Sequence, residues 1–301
     1  MESFLIIVNP AAGRRAGLQT ARKVCQLLQA AGKRADIELT AAPGDAYRLA
    51  RDAVAAGVEI VVGAGGDGTL QEIGRALEST GVALGIIPAG CCNDFARAVG
   101  LLRSDSPERL AAVLIRGLQR AVDLGQVGPH RFLTVATFGL GSAVNRFVQG
   151  RKLRSRGTLA YLQGVLCVLL RYRASPATLR GDFGERSGQF LMAAIGNAPS
   201  FAGNLRITPG AHVSDGLFQV CLVNDVSRLT VLAALGRLFR GTHLAHSAVE
   251  TFNTRFLEIE TTLEHGWICA DGESLCRTPC RLEVRPNALR VVADSIGGNP
   301  S

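Results

Sequence analysis

The sequence predicts an N-terminal α/β domain built on a parallel, Rossmann-like three-layer sheet, followed by a C-terminal antiparallel β-rich, sandwich-like domain. Up to about residue 121, short β-branched runs alternate with helical patterns, the rhythm of a parallel sheet covered by helices. Beyond that point, strand patterns follow one another with few helices between them, as in antiparallel sheets. The 301 residues are 47% hydrophobic yet only 5% aromatic, so the apolar content is mostly Ala, Val, Leu and Ile, which suits strands buried on both faces. A chain of this length is expected to hold two cores.

In chain order, residues 4–8 form the first strand. Residues 15–31 follow as a helix, because Leu18, Ala21, Val24, Leu27 and Ala31 recur at three and four residues and mark one apolar face. Strands at 35–39, 58–63 and 82–88 then alternate with helices at 44–56 and 69–79. In the second half, strands are expected at 131–137, 177–183, 189–196, 217–223, 256–260 and 281–284, with helical insertions at 158–172 and 227–239. The domains are read as 1–122 and 123–287. Residues 159–170 are apolar and bracketed by Arg151, Lys152, Arg154 and Arg156 before them and Arg171 and Arg173 after. They are too few to span a bilayer, which takes about 20 residues. A core helix with a solvated basic end and a helix lying on a membrane surface both fit them.

The net charge of +8 favours an anionic partner. Nucleic acid is not expected, because the arginines are scattered and lack interleaved aromatic residues. The eight cysteines include no Cys-x-x-Cys pair, so free thiols in a reducing cytosol are expected. Cys269, Cys276 and Cys280 could hold a metal only with a fourth ligand, for which His265 is the nearby candidate. The start of the chain enters a strand pattern without a basic leader, so secretion is not expected.

Small residues collect at the ends of the first, third and fourth strands. Asn9-Pro10-Ala11-Ala12-Gly13 opens a helix carrying Arg14 and Arg15, and such a turn lets backbone N–H groups approach a phosphate. A plain strand-to-helix turn accounts for that segment as well. Gly63-Ala64-Gly65-Gly66-Asp67-Gly68-Thr69 matches the dinucleotide fingerprint in form, but no acidic residue ends the following strand to hold a ribose. Its double glycine followed by Asp-Gly-Thr offers instead a phosphate-hugging loop, a carboxylate and a hydroxyl at a helix start. The segment 88–97, with Cys91, Cys92, Asn93 and Asp94, delivers polar groups to the same edge, where open α/β sheets bind ligands. Asp215-Gly216-Leu217 and Asp271-Gly272-Glu273, taken alone, are turn signals.

Together these motifs resemble the diacylglycerol kinase catalytic-domain family, which includes bacterial lipid kinases and the sphingosine and ceramide kinases, over nearly the whole chain. NAD kinases and phosphofructokinases share a related Gly-Gly-Asp-Gly loop. The Asn93-Asp94-Phe95-Ala96-Arg97 segment and the C-terminal motifs favour the lipid branch. The resemblance implies an NAD kinase/diacylglycerol kinase-like fold whose last strand, about 288–296, returns to the first domain, with the active site between the two domains. It implies ATP binding by Asn9, Pro10, Gly13, Thr40, Gly65, Gly66, Asp67, Gly68, Thr69, Cys91, Asn93 and Asp94. Cys91 stands where the family usually has Thr, and a thiol is the weaker hydrogen-bond donor. It also implies Mg2+ held by Asp215 and the backbone carbonyls of His212 and Leu217, oxygen donors that suit a hard cation. Glu273 is implied as proton acceptor, with Asp271 and Asp67 as further catalytic residues.

The implied partner is a membrane lipid hydroxyl, diacylglycerol first, with ceramide, a sphingoid base or phosphatidylglycerol as other candidates. The implied location is cytoplasmic and peripheral to the membrane; a homodimer is left open. A soluble-substrate kinase acting on NAD and a non-catalytic nucleotide or lipid sensor are the alternatives. Asp182-Phe183-Gly184 copies a protein-kinase motif without its companion His-Arg-Asp loop and is read as coincidence. Neither a Walker A sequence nor a Gly-x-Ser-x-Gly elbow is present.

Overall fold

Branched apolar runs bury the central strands of the first sheet along their whole length, and two glycines let helices settle on them. In the computed structural model, which describes residues 2–151, 157–262 and 266–294 apart from the side chains of residues 14 and 15, the chain begins with β1 (Ser3–Val8), a 3-10 turn (Ala12–Arg15), α1 (Ala16–Ala30), β2 (Arg34–Leu39) and α2 (Asp45–Ala55). It continues through β3 (Ile60–Gly65), α3 (Asp67–Leu77), β4 (Ala83–Pro88), α4 (Asp94–Ala98), α5 (Pro107–Arg116) and β5 (Gln119–Val127). Every residue of β3 and β4 is buried. A Cβ at Gly63 would lie 2.7 Å from Leu70, and one at Gly85 would lie 2.6 Å from Leu114, so α3 and α5 sit directly on bare backbone there. Ser106 caps α5 by accepting from the Arg109 N–H at 3.2 Å, with Pro107 at the first helical position and Gly117 closing the helix in the left-handed region.

The later elements are β6 (His130–Phe132), β7 (Val135–Gly139), α6 (Leu140–Gln149), α7 (Thr158–Leu169), β8 (Ser175–Gly181), β9 (Gly184–Gly196) and β10 (Phe218–Asn224). They end with α8 (Arg228–Leu238), a 3-10 turn (Thr242–Ala245), β11 (Val249–Thr254), β12 (Phe256–Thr261), β13 (Trp267–Ala270), β14 (Glu273–Arg277) and β15 (Cys280–Val292). The chain divides into two compact units, Met1–Asp123 with Pro286–Ser301, and Leu124–Arg285.

The first unit is a parallel sheet in the order β2-β1-β3-β4, joined at β4 by the end of β15 through Arg290↔Ala83 and Val291↔Leu84. α1 packs against α5 and α2 against α3. Strand order reverses between β1 and β3, and such a switch point leaves a crevice beyond the strand ends. The second unit is antiparallel, with β7, β8 and β10 all pairing with β9, and β12 pairing with β8 and β15. Its core gathers Phe138, Phe190, Leu257 and Leu282 around Phe132 and Phe218, whose rings stack at 5.7 Å. A second cluster, with Val144, Val165, Leu169 and Leu191, seats α6 and α7 on β9.

The fold class is the one predicted: parallel α/β, then antiparallel β. Several elements differ. The expected strand 131–137 is split into β6 and β7, because the Leu133 and Thr134 N–H groups donate to the Asp271 carboxylate at 2.6 and 3.0 Å instead of continuing a ladder. The helix expected at 69–79 starts two residues earlier, with Gly66 extended at its N-cap. α6 was not anticipated. Among the described residues, no helix is long and apolar enough to cross a membrane. Lys152, Arg154, Arg156 and His265 lie outside the described residues.

Candidate active site

At the switch point the ends of β1, β3 and β4 are drawn together by contacts that only small residues permit. The Asn9 N–H donates to the Ala64 carbonyl at 3.0 Å, and its side-chain amide donates to Thr69 Oγ1 at 3.2 Å, tying the β1 turn to the start of α3. Asn9 Oδ1 accepts from the Ala11 N–H at 3.0 Å, which shapes the turn beyond the exposed Pro10. Gly13 adopts φ +65°, and a Cβ there would lie 2.7 Å from the Ala89 carbonyl oxygen, so this turn lies against the β4 loop. The Thr40 N–H donates to the Val8 carbonyl at 3.0 Å, setting Thr40 at the end of β2 beside β1.

The Gly65 carbonyl accepts from the N–H groups of Ala89 and Gly90 at 2.9 and 3.0 Å. A Cβ on Gly90 would come within 2.3 Å of Gly66 Cα, so two backbones touch here without side chains between them. No side chain caps α3, whose first turn begins at Asp67, and a Cβ at Gly68 would meet nothing within 4 Å. An uncapped first turn with open space at Gly68 is suited to an anion, through its N–H groups and the positive end of the helix dipole. Asp67 Oδ1 accepts from the Phe95 N–H at 3.1 Å, fastening the start of α4 to the start of α3.

Asn93 is buried in the left-handed region at φ +53°, and its amide exchanges two hydrogen bonds with Gly90, at 2.8 and 3.0 Å. Asp94 is buried and pairs with Arg97 at 2.9 Å. Cys91 is exposed, whereas burial, with Asp94 and Asp67 adding to it, pushes the Cys92 thiol up to about 12. The structure thus brings Asn9, Gly13, Gly65, Gly66, Asp67, Thr69, Asn93 and Asp94 into one hydrogen-bonded neighbourhood. Gly90, not singled out in the sequence, is its steric centre. Glu72 was also missed: its carboxylate accepts from the N–H groups of Gly44 and Ala46 at 3.0 and 3.1 Å and anchors the start of α2. Its place one helical turn after Thr69 on α3 was the only signal.

In the second unit, Asp271 and Gly272 form the two-residue turn between β13 and β14, both at positive φ, +48° and +87°. This is the geometry favoured by Asp-Gly hairpins. The Asp271 carboxylate receives the Leu133 and Thr134 N–H groups and the Thr134 hydroxyl, the last at 2.5 Å. Asp271 therefore ties this turn to the break between β6 and β7, while Glu273, next along the chain beyond Gly272, is exposed.

Asp215 is also exposed, and its Oδ1 accepts from the Leu217 N–H at 3.0 Å in a turn completed by Gly216 at φ +74°. His212 Nδ1 pairs with the Ser214 hydroxyl at 3.1 Å. Among the described residues, no group of three or more His, Cys, Asp or Glu side chains gathers as a metal site. Cys269 instead contacts the Ser274 hydroxyl at 3.4 Å, and Cys276 hydrogen-bonds Cys280. Asp182 anchors the β8–β9 hairpin: its bonds from Arg255, including one from the backbone N–H at 2.8 Å, hold its carboxyl down to about 2.

Residues 3–127 match the diacylglycerol kinase catalytic domain, and residues 134–293 match the YegS C-terminal NAD kinase beta sandwich-like domain. A Pseudomonas aeruginosa protein named "Probable lipid kinase YegS-like" is 33% identical over 281 residues, covering 93% of this chain and 91% of its own. A diacylglycerol kinase of Mycobacterium tuberculosis is 31% identical over 294 residues, covering 95% of this chain and 93% of its own. A solved diacylglycerol kinase from Bacillus anthracis superposes with a TM-score of 0.74 at 21% identity, over 99% of this chain and 97% of that one, a likeness of fold. With both halves matched in order and relatives aligned along nearly its full length, the chain belongs to the diacylglycerol kinase and YegS-like family of ATP-using lipid kinases.

Proposed function

We propose that this enzyme transfers the γ-phosphoryl group of ATP to a hydroxyl of a membrane lipid, diacylglycerol first, with phosphatidylglycerol, ceramide or a sphingoid base as the other candidates. The observation that carries the reading is the switch-point cluster, in which Gly66 and Gly90 touch backbone to backbone, Gly65 makes room for the Thr69 side chain, and the space at Gly68 on the first turn of α3 is open. ATP phosphates would lie on residues 65–69, with Asn9 and Asn93 holding the flanking loops and Thr40 toward the nucleotide.

The donors proposed for Mg2+ are the Asp215 carboxylate and the His212 and Leu217 carbonyls. They are all oxygen, and one exposed carboxylate beside carbonyls fits a cation that takes most of its other ligands from phosphate and water. When bound, the cation would neutralise charge on the transferring phosphoryl group. The lipid hydroxyl oxygen forms its bond to the γ-phosphorus as the bond to the bridging oxygen breaks. ADP departs, and Glu273 receives the hydroxyl proton. Asp271, fixed by Leu133 and Thr134, sets the turn from which Glu273 projects. Because the acceptor resides in a bilayer, the enzyme works at the membrane surface that ATP reaches. Incubating purified protein with ATP and a panel of diacylglycerol, phosphatidylglycerol, sphingosine, ceramide and NAD, with and without EDTA, tests the reading. Phosphorylation of NAD alone would sink it.

A further inference from the structure

A surface helix normally turns polar residues to water, but in the second unit α7 turns a largely apolar stripe outward and α8 exposes leucines between its arginines. On α7 and the residue after it, the exposed positions are Leu159, Gln163, Leu166, Cys167 and Leu170, spaced as one helical stripe and apolar except for the glutamine. Leu159, Leu166 and Leu170 are 59%, 50% and 68% exposed. On α8 no residue is buried, and the outward positions include Leu229, at 78% exposure, and Leu232. Helices that are apolar on all sides belong inside a core or against lipid.

The two stripes look out from the same side of this unit. α7 buries Val165 and Leu169, and α8 turns Val231 and Leu235, into one cluster around Leu191 of β9, so what remains outside faces away from a shared floor. The floor beneath α8 is not filled: a cavity of about 90 Å3 lies between α8 and β9, β10 and β11, lined by Met192, Val223, Leu235 and Leu238 among others. Charge singles out the occupant of the outer face. Residues 157–173 and 226–249 contain no Asp or Glu, whereas Arg171, Arg173, Arg228, Arg237 and Arg240 flank the leucines and are exposed. A second copy of this chain would set like charges against each other. An anionic bilayer would receive the leucines in its acyl boundary and the arginines among its headgroups.

We propose that the outer stripes of α7 and α8 are the face by which this protein docks on an anionic phospholipid bilayer. The proposal rests on the lipid-kinase reading for its purpose, but not for its test. Flotation of the full chain with vesicles of phosphatidylglycerol and phosphatidylcholine, and with pure phosphatidylcholine, measures it directly. Leu159→Asp with Leu166→Asp should lower the vesicle partition constant at least about tenfold for each leucine. Arg171→Glu with Arg173→Glu should weaken binding to the anionic vesicles and leave the weaker binding to phosphatidylcholine unchanged. Both pairs lie on exposed positions, so circular dichroism and the thermal midpoint should match wild type, as should turnover of a short-chain diacylglycerol dispersed as monomers.

Wild-type protein that does not float, or leucine variants that float like wild type, would overturn the proposal. So would a wild-type dimer that the leucine pair converts to a monomer without loss of vesicle binding. The two readings fail separately. Protein that floats through these leucines but phosphorylates no lipid keeps the docking face and loses the kinase. Protein that phosphorylates vesicle lipid equally well with the leucines replaced does the reverse.

Discussion

Replacing Gly68 with alanine separates ligand binding from folding. A Cβ built there meets no atom within 4 Å, and Gly68 is the second residue of α3 and has no positive φ to protect. Alanine is favoured over glycine in a helix by up to about 1 kcal/mol, so the thermal midpoint should stay or rise by a few degrees. Gly90→Ala supplies the contrast. Its Cβ would lie 2.3 Å from Gly66 Cα and 2.7 Å from Asn93 Oδ1, and relief requires the backbone to part where the Ala89 and Gly90 N–H groups reach the Gly65 carbonyl. Overpacking at roughly 1–3 kcal/mol, with about 1 kcal/mol for a weakened hydrogen bond, gives a loss of roughly 2–4 kcal/mol. If ATP phosphates rest on the first turn of α3, the Gly68→Ala methyl group takes the space of a phosphate oxygen. ATP affinity then falls by roughly 10- to 100-fold, or about 1.4–2.7 kcal/mol. Calorimetric titration with ATP beside a thermal melt reads both quantities. A folded Gly68→Ala protein that binds ATP like wild type would refute the placement of the phosphates.

Three further outcomes follow from the same geometry. Alkylation mapped by mass spectrometry should modify exposed Cys91 readily and leave Cys92, whose thiol is held up to about 12, largely untouched; ATP should protect Cys91 but not exposed Cys167. Asp271→Asn replaces an acceptor of three hydrogen bonds with an amide that has a single acceptor oxygen. It should destabilise the protein by about 2–4 kcal/mol in urea unfolding, so a loss of activity in that variant reports structure, whereas exposed Glu273→Gln should unfold like wild type. Burial pushes the His243 imidazole below its ordinary value of 6.5, so below that pH the unfolded chain takes up a proton that the folded one resists. Stability should therefore decline as pH falls from 6.5, and urea midpoints across about pH 5–7 should flatten in His243→Gln.

In the first unit β1, β3 and β4 were legible because each is a short apolar run closed by a small-residue turn, while β2 alternates Ala35, Ile37 and Leu39 with charged residues, the pattern of an edge strand. The start of α3 was misplaced since Asp67-Gly68 has the composition of a loop, while the fact that fixes it, Gly66 at the N-cap against Gly90, is a contact across the sheet. The break between β6 and β7 was invisible for a like reason: the carboxylate that takes their N–H groups comes from Asp271, far along the chain. α6 could have been found, for Leu140, Val144 and Val148 repeat every four residues. Gly141, against Thr137 at 2.9 Å, hid the helix by composition. Of the candidate site, the glycines and acids were readable as motifs. Their division of labour was not, since only the hydrogen bonds distinguish Asp271, held by its neighbours, from Glu273, exposed beside it.

The measurement that bears most directly on the whole account is transfer of labelled phosphate from ATP to diacylglycerol in vesicles by the purified chain, with and without Mg2+, for wild type and Glu273→Gln. The account predicts Mg2+-dependent labelling of the lipid by wild type, reduced at least about 100-fold in Glu273→Gln while its fold is unchanged. Absence of labelling from every lipid offered, or a Glu273→Gln protein as active as wild type, would contradict it.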